Sequence, residues 1–113
     1  MIQFYNRILS NTANSINNIP IRLTDERWHH ITVGHPEMAD YFYEILETIE
    51  NPNIIYEGNY EELIAVSAEF HQINKFIIVV YKELSNEDGF IITAYCSNKI
   101  QYFEKKKILW KKQ

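Results

Sequence analysis

The stretch Arg27-Trp28-His29-His30-Ile31, running on to His35-Pro36-Glu37, holds the residue types best suited to chemistry. On a helix each residue advances by roughly 100°. Trp28 and Ile31 then define an apolar face, and Arg27 and His30, three apart, lie along one edge of it. His29 points to the far side, towards solvent. His35 follows Gly34 and precedes Pro36, where a helix should break. If the chain turns there, its imidazole swings to the same edge. Far along the chain, Thr93 and Tyr95 alternate onto one face of an apolar strand.

This set makes chemical sense for RNA cleavage without a metal. A 2′-hydroxyl must lose a proton before it attacks the adjacent phosphorus. Histidine titrates near neutral pH and can take that proton or supply one to the leaving oxygen. Arginine offers a fixed fork of donors matched to phosphate oxygens. The Thr93 and Tyr95 hydroxyls can bind phosphate or orient a histidine. Each residue also has a plain structural reading. A histidine beside a core face is commonly packing, Arg27 can pair with Glu26, and Thr93 and Tyr95 are ordinary strand formers. His29, His30 and His35 do not gather on a regular helix, so no metal site is expected. No serine sits in a nucleophile turn, so a Ser/His/Asp hydrolase is not supported. His71, in His71-Gln72-Ile73-Asn74, reads as a turn residue.

The elements that must position these groups follow from pattern. Residues 6–18, rich in Asn and Ser, read as an irregular or weakly helical lead-in. Ile19 to Leu23 is a short apolar run, a strand. Thr24 offers a helix N-cap, with Asp25 and Glu26 where negative charge suits the dipole. A first helix is expected from Asp25 to about Gly34. Pro36 fits the first position of a second helix. Met38, Tyr41, Phe42, Ile45, Leu46 and Ile49 then form a stripe at helical spacing, stopped by Asn51-Pro52-Asn53. Strands are expected at Ile54–Tyr56, within Glu62–Phe70, at Phe76–Tyr81 and at Phe90–Cys96, the last two joined by a loop at 85–89. The expected fold is α+β: two N-terminal helices packed on one face of an antiparallel sheet of about four strands.

Length and composition bound the rest. The 113 residues suit one domain, 1–113, and no run of about 18 apolar residues suggests a membrane span. No charged-then-apolar start suggests a signal peptide. Cys96 is the single cysteine, which excludes an internal disulfide and suits a reducing cytoplasm. The net charge of -4 argues mildly against general nucleic-acid binding, but it is uneven. Residues 1–60 carry three basic and eight acidic groups; residues 61–113 carry eight and seven. The last nine residues hold five lysines, read as a solvated basic tail or a phosphate contact.

The motif string resembles the opening of phage and bacterial nuclease-like domains of the barnase–EndoU–colicin–RelE superfamily. The likeness continues through Ile45-Leu46-Glu47-Thr48-Ile49, Pro52-Asn53-Ile54-Ile55, Lys75-Phe76-Ile77-Ile78-Val79-Val80-Tyr81 and Gly89-Phe90-Ile91-Ile92-Thr93-Ala94-Tyr95. It covers residues 20 to 110 or so. The resemblance implies two helices on a four-stranded antiparallel sheet and metal-independent endoribonuclease chemistry, commonly as the toxin of a toxin–antitoxin system. Carried over by position, it implies a site of Arg27, His30, His35, Thr93 and Tyr95, no cofactor, an RNA substrate and an antitoxin partner. The competing expectation is a non-enzymatic protein-interaction domain, contacting a partner through the acidic second helix or the lysine tail. A homodimer joined through a strand edge or the Trp110 tail is a third.

Overall fold

The computed structural model describes residues 11–69 and 74–113. His71, Phe70 and the first part of the lead-in lie outside them. The strands are β1 (Thr12–Asn14), β2 (Pro20–Arg22), β3 (Ile54–Glu57), β4 (Leu63–Val66), β5 (Phe76–Glu83), β6 (Gly89–Ser97) and β7 (Ile108–Lys111). The helices are α1 (Asp25–Gly34) and α2 (Phe42–Glu50), with 3-10 turns at Pro36–Asp40 and Ile100–Phe103. The fold is mixed α+β, but the sheet has seven strands in the order β1-β2-β6-β5-β4-β3-β7. This corrects the expectation of about four strands following two N-terminal helices. The lead-in forms β1, and the lysine tail forms β7 on β3. Pairing is antiparallel except between β2 and β6, which run parallel. Helix α2 touches β1 at one sheet edge as well as β4 and β5 in the middle, so the sheet curls around it.

Helix α1 starts where its signals put it. The Thr24 hydroxyl accepts from the Arg27 N–H at 3.2 Å, satisfying a donor the helix leaves open. The second helix is interrupted. Pro36 opens a 3-10 turn, the chain leaves helical geometry at Tyr41 (φ -121°, ψ 28°), and α2 begins at Phe42. The apolar stripe is nonetheless used: Met38, Ile45, Leu46 and Ile49 are all buried.

The sheet has two covered faces. Ile77, Val79 and Tyr81 of β5 join Ile31, Met38, Ile45 and Ile49 in the helix-side core. Ile78 of β5 joins Tyr56, Ile64, Val66 and Phe103 in a smaller core on the outer face, closed by the 3-10 turn at 100–103. The β5–β6 register shifts between Val80 and Tyr81: Tyr81 pairs Ile91, but Val80 pairs Thr93. Ile92 is the extra residue of a bulge. Ile91 and Ala94 therefore face the helices, while Thr93 and Tyr95, opposite Val80 and Ile78, face outwards.

The β1–β2 hairpin is tied on by polar contacts. Ser15 Oγ donates to Glu83 at 2.6 Å, and Asn17 Nδ2 donates to the same carboxylate at 3.0 and 3.2 Å. Arg22 forks onto Asp88 at 2.9 and 3.1 Å. That pairing holds the Asp88 carboxyl below its ordinary range. Gly89 lets β2 approach β6, because a Cβ there would lie 2.5 Å from Ile21 Cδ1 and 2.6 Å from the Lys82 carbonyl.

Candidate functional site

Parallel pairing of β2 with β6 covers only Ile21–Gly89 and Arg22–Phe90. Beyond Phe90 no strand among the described residues pairs with that side of β6. Helix α1 and the turn at 36–40 pack there instead. Met38 is fully buried, with its sulfur 3.4 Å from Cys96 Sγ. This anchor pins the His35-Pro36-Glu37 corner to the end of β6. His35 is the hinge of that corner: its N–H donates to the Ile31 carbonyl at 2.7 Å, closing α1, and its carbonyl accepts from Met38 at 2.9 Å. Its backbone (φ -135°, ψ 77°) has left the helix, which turns the imidazole towards the strand edge.

There the His35 ring stacks on Tyr95, with centroids 5.5 Å apart and planes 30° from parallel. Glu37 Oε2 lies 3.7 Å from His35 Nδ1, and both side chains are about two-fifths exposed (41% and 43%). Burial pushes the Tyr95 hydroxyl up from its ordinary pKa, and Tyr102 adds to the effect. Burial also pushes the Cys96 thiol up; Glu37 raises it further, while Lys75 lowers it. Glu37 and Lys75 thus both lie within electrostatic reach of the same corner.

The five sequence candidates divide. His35 and Tyr95 meet. Thr93 shares the outer face with Tyr95, one position along the alternation. Arg27 and His30 make no hydrogen bond, ion pair or ring contact with any of these three. With Ile31 pointing inwards, helical arithmetic places Trp28 about 60° to one side and Arg27 about 40° to the other. Trp28 meets Phe42 edge-on at 5.1 Å, so Arg27 lies on the flank away from α2. Its guanidinium is held by Glu26 at 3.1 Å. His29 and His30 are exposed.

Outward of Tyr95 an open cleft of about 270 Å³ is lined by Tyr95, Ser97, Lys99, Tyr102 and Phe103. Tyr95 borders both this cleft and His35. Glu37, Lys75 and the cleft residues other than Tyr95 were missed by pattern. Glu37 had a signal: proline after histidine starts a turn that places the next carboxylate beside the imidazole. The cleft had none beyond aromatics and a lysine following a strand, since a four-residue 3-10 turn carries no periodicity. Among the described residues no three His, Cys, Asp or Glu side chains gather as metal ligands would. No described helix is long and apolar enough to cross a membrane. No protein-family model, curated protein or solved structure matches this chain.

Proposed function

We propose that this chain is a metal-independent endoribonuclease, the toxin of a toxin–antitoxin pair, with a site smaller than the sequence set. The observation that carries this reading is the His35 ring held on Tyr95 with Glu37 beside it, accessible to solvent at the end of the sheet. A carboxylate and an imidazole side by side supply both proton transfers that RNA cleavage needs. Glu37 takes the proton of a 2′-hydroxyl. The 2′-oxygen attacks the adjacent phosphorus, the bond to the 5′-oxygen breaks, and protonated His35 gives that oxygen its proton. The products end in a 2′,3′-cyclic phosphate and a 5′-hydroxyl. Lys75, within electrostatic reach of this corner, supplies a cation for the charge that builds on the phosphoryl oxygens.

The test is incubation of purified protein with RNA in the presence of a chelator, wild type beside His35→Ala. Cleavage that leaves cyclic phosphate ends and disappears in the variant supports the reading. RNA left intact by the wild type, with no slowing of growth on overexpression, removes it. A second reading, a non-enzymatic protein-interaction domain, draws on one observation: Arg27 is engaged by Glu26, and His30 stands apart from the His35–Tyr95 pair. It expects intact RNA with both proteins.

A further inference from the structure

We infer that the cleft at the end of β6 holds one base and one phosphate of single-stranded RNA, beside the scissile bond. This rests on the ribonuclease reading for the identity of the ligand. It goes beyond that reading in assigning the subsite and its residues.

Three observations converge on it. The first is shape. At about 270 Å³ the cleft falls just under the usual small-ligand range, which starts at roughly 300 Å³, and so suits one flat ring system. The second is its walls. Tyr102 is 73% exposed at the mouth, whereas Phe103, 2% exposed, closes the floor. Tyr102 meets Phe103 edge-on at 5.1 Å and 90°, and its exposure leaves ring surface bare for a base. Stacking on tyrosine is how single-stranded nucleic acid is commonly held without sequence reading.

The third is polar chemistry. Ser97 Oγ accepts the Lys99 N–H at 3.0 Å, which leaves the hydroxyl proton free to donate. The Lys99 ammonium pairs with no carboxylate among the described residues. Tyr95 then links the subsite to the chemistry, since the ring that lines the cleft is the ring His35 stacks on. A purely apolar ligand would leave Lys99 and Ser97 unused. An acidic peptide would use Lys99 but not the open ring of Tyr102. A nucleotide uses both.

The experiment is fluorescence anisotropy with a labelled 2′-O-methyl RNA hexamer, which cannot be cleaved by 2′-hydroxyl attack, across a salt series. Wild type is compared with Tyr102→Ala, Tyr102→Phe and Lys99→Ala, each checked for an unchanged thermal transition. Tyr102→Ala should weaken binding roughly tenfold or more, and Tyr102→Phe should restore it. Lys99→Ala should weaken binding and reduce the slope of log affinity against log salt by about 0.7. Variants that bind like wild type overturn the inference. So does a wild type that ignores the hexamer, or one that takes a polyglutamate peptide independently of Tyr102. Cleavage of unmodified RNA, measured in parallel, separates the two readings. Binding with the expected losses but no cleavage keeps the subsite and removes the nuclease. Cleavage at wild-type kcat/KM by Tyr102→Ala and Lys99→Ala does the reverse.

Discussion

Replacing Tyr81 by Phe should stabilise this protein. Tyr81 is fully buried in the helix-side core, and its hydroxyl has no hydrogen-bond partner among the described residues. In the unfolded chain that hydroxyl is solvated, so burying it bare costs about 1–3 kcal/mol. Phenylalanine keeps the ring and its contacts and removes the cost. The small gap left by the oxygen offsets part of the gain, so about 1 kcal/mol is expected. In a domain of this size that raises Tm by roughly 4 °C.

A pH signature accompanies the change. Burial, with Glu83 adding to it, holds the Tyr81 hydroxyl protonated far above the ordinary tyrosine range. In the unfolded chain the same group ionises near pH 10 or so. Above that pH the unfolded state sheds a proton that the folded state keeps, so stability falls as pH rises. Wild type should therefore lose stability in alkali more steeply than Tyr81→Phe. Tyr56 and Tyr95, also raised by burial, act in both proteins and cancel in the difference. Urea unfolding at neutral and alkaline pH, with equal m-values, measures both effects. A Tyr81→Phe protein less stable than wild type at neutral pH would refute the reasoning, because the hydroxyl would then be hydrogen-bonded in the folded state.

Three further outcomes are expected. His35→Ala should lower RNA cleavage by about a hundredfold or more, the scale of lost acid–base help, whereas His30→Ala should stay within about twofold of wild type; initial rates on one labelled RNA decide it. Thr24→Ala should cost about 1 kcal/mol in urea unfolding, because the cap to the Arg27 N–H is lost. Gly89→Ala should cost about 1–3 kcal/mol by the same assay, since the Lys82 carbonyl cannot step aside for a methyl group.

Much of the frame was readable from residue order, for local reasons. Thr24 with Asp25 and Glu26 starts α1 through bonds made within one turn, so the start needs no tertiary information. The run from Phe76 to Tyr81 is β-branched and continuous because it becomes a strand buried on both faces. The misses share a cause, since each depends on a partner distant in sequence. Thr12-Ala13-Asn14 is too short and polar to announce a strand, and becomes one against Pro20–Arg22. Ile108–Lys111 is masked by lysines and forms its ladder on β3. Met38 keeps helical spacing with Ile45 although Tyr41 breaks the helix between them, because both groups serve the same core. In the site, His35 could be expected to swing at the Gly34–Pro36 break. The face taken by Thr93 relative to Ile91 could not, because the bulge at Ile92 exists only in register with β5. Arg27 and His30 were drawn in by their spacing, but spacing on one helix says nothing of which layer a distant strand face joins.

The parallel contact between β2 and β6 also bears on the order in which the chain assembles. Its pairs span 68 residues, from Ile21 to Gly89 and from Arg22 to Phe90. The Ser15–Glu83 and Arg22–Asp88 bonds bridge similar separations of 68 and 66. Closing loops that long carries an entropic penalty before any contact repays it. The β5–β6 hairpin has only a short loop to close. The first hairpin should therefore dock last and open first, as a unit of low local stability. Hydrogen exchange should show the Ile21 and Leu23 amides opening together, at lower free energy than those of Ile78 and Val79. In that open state the remaining sheet stays paired, and β6 is bared at Gly89 and Phe90, on the edge that α1 and the His35 corner cover further along.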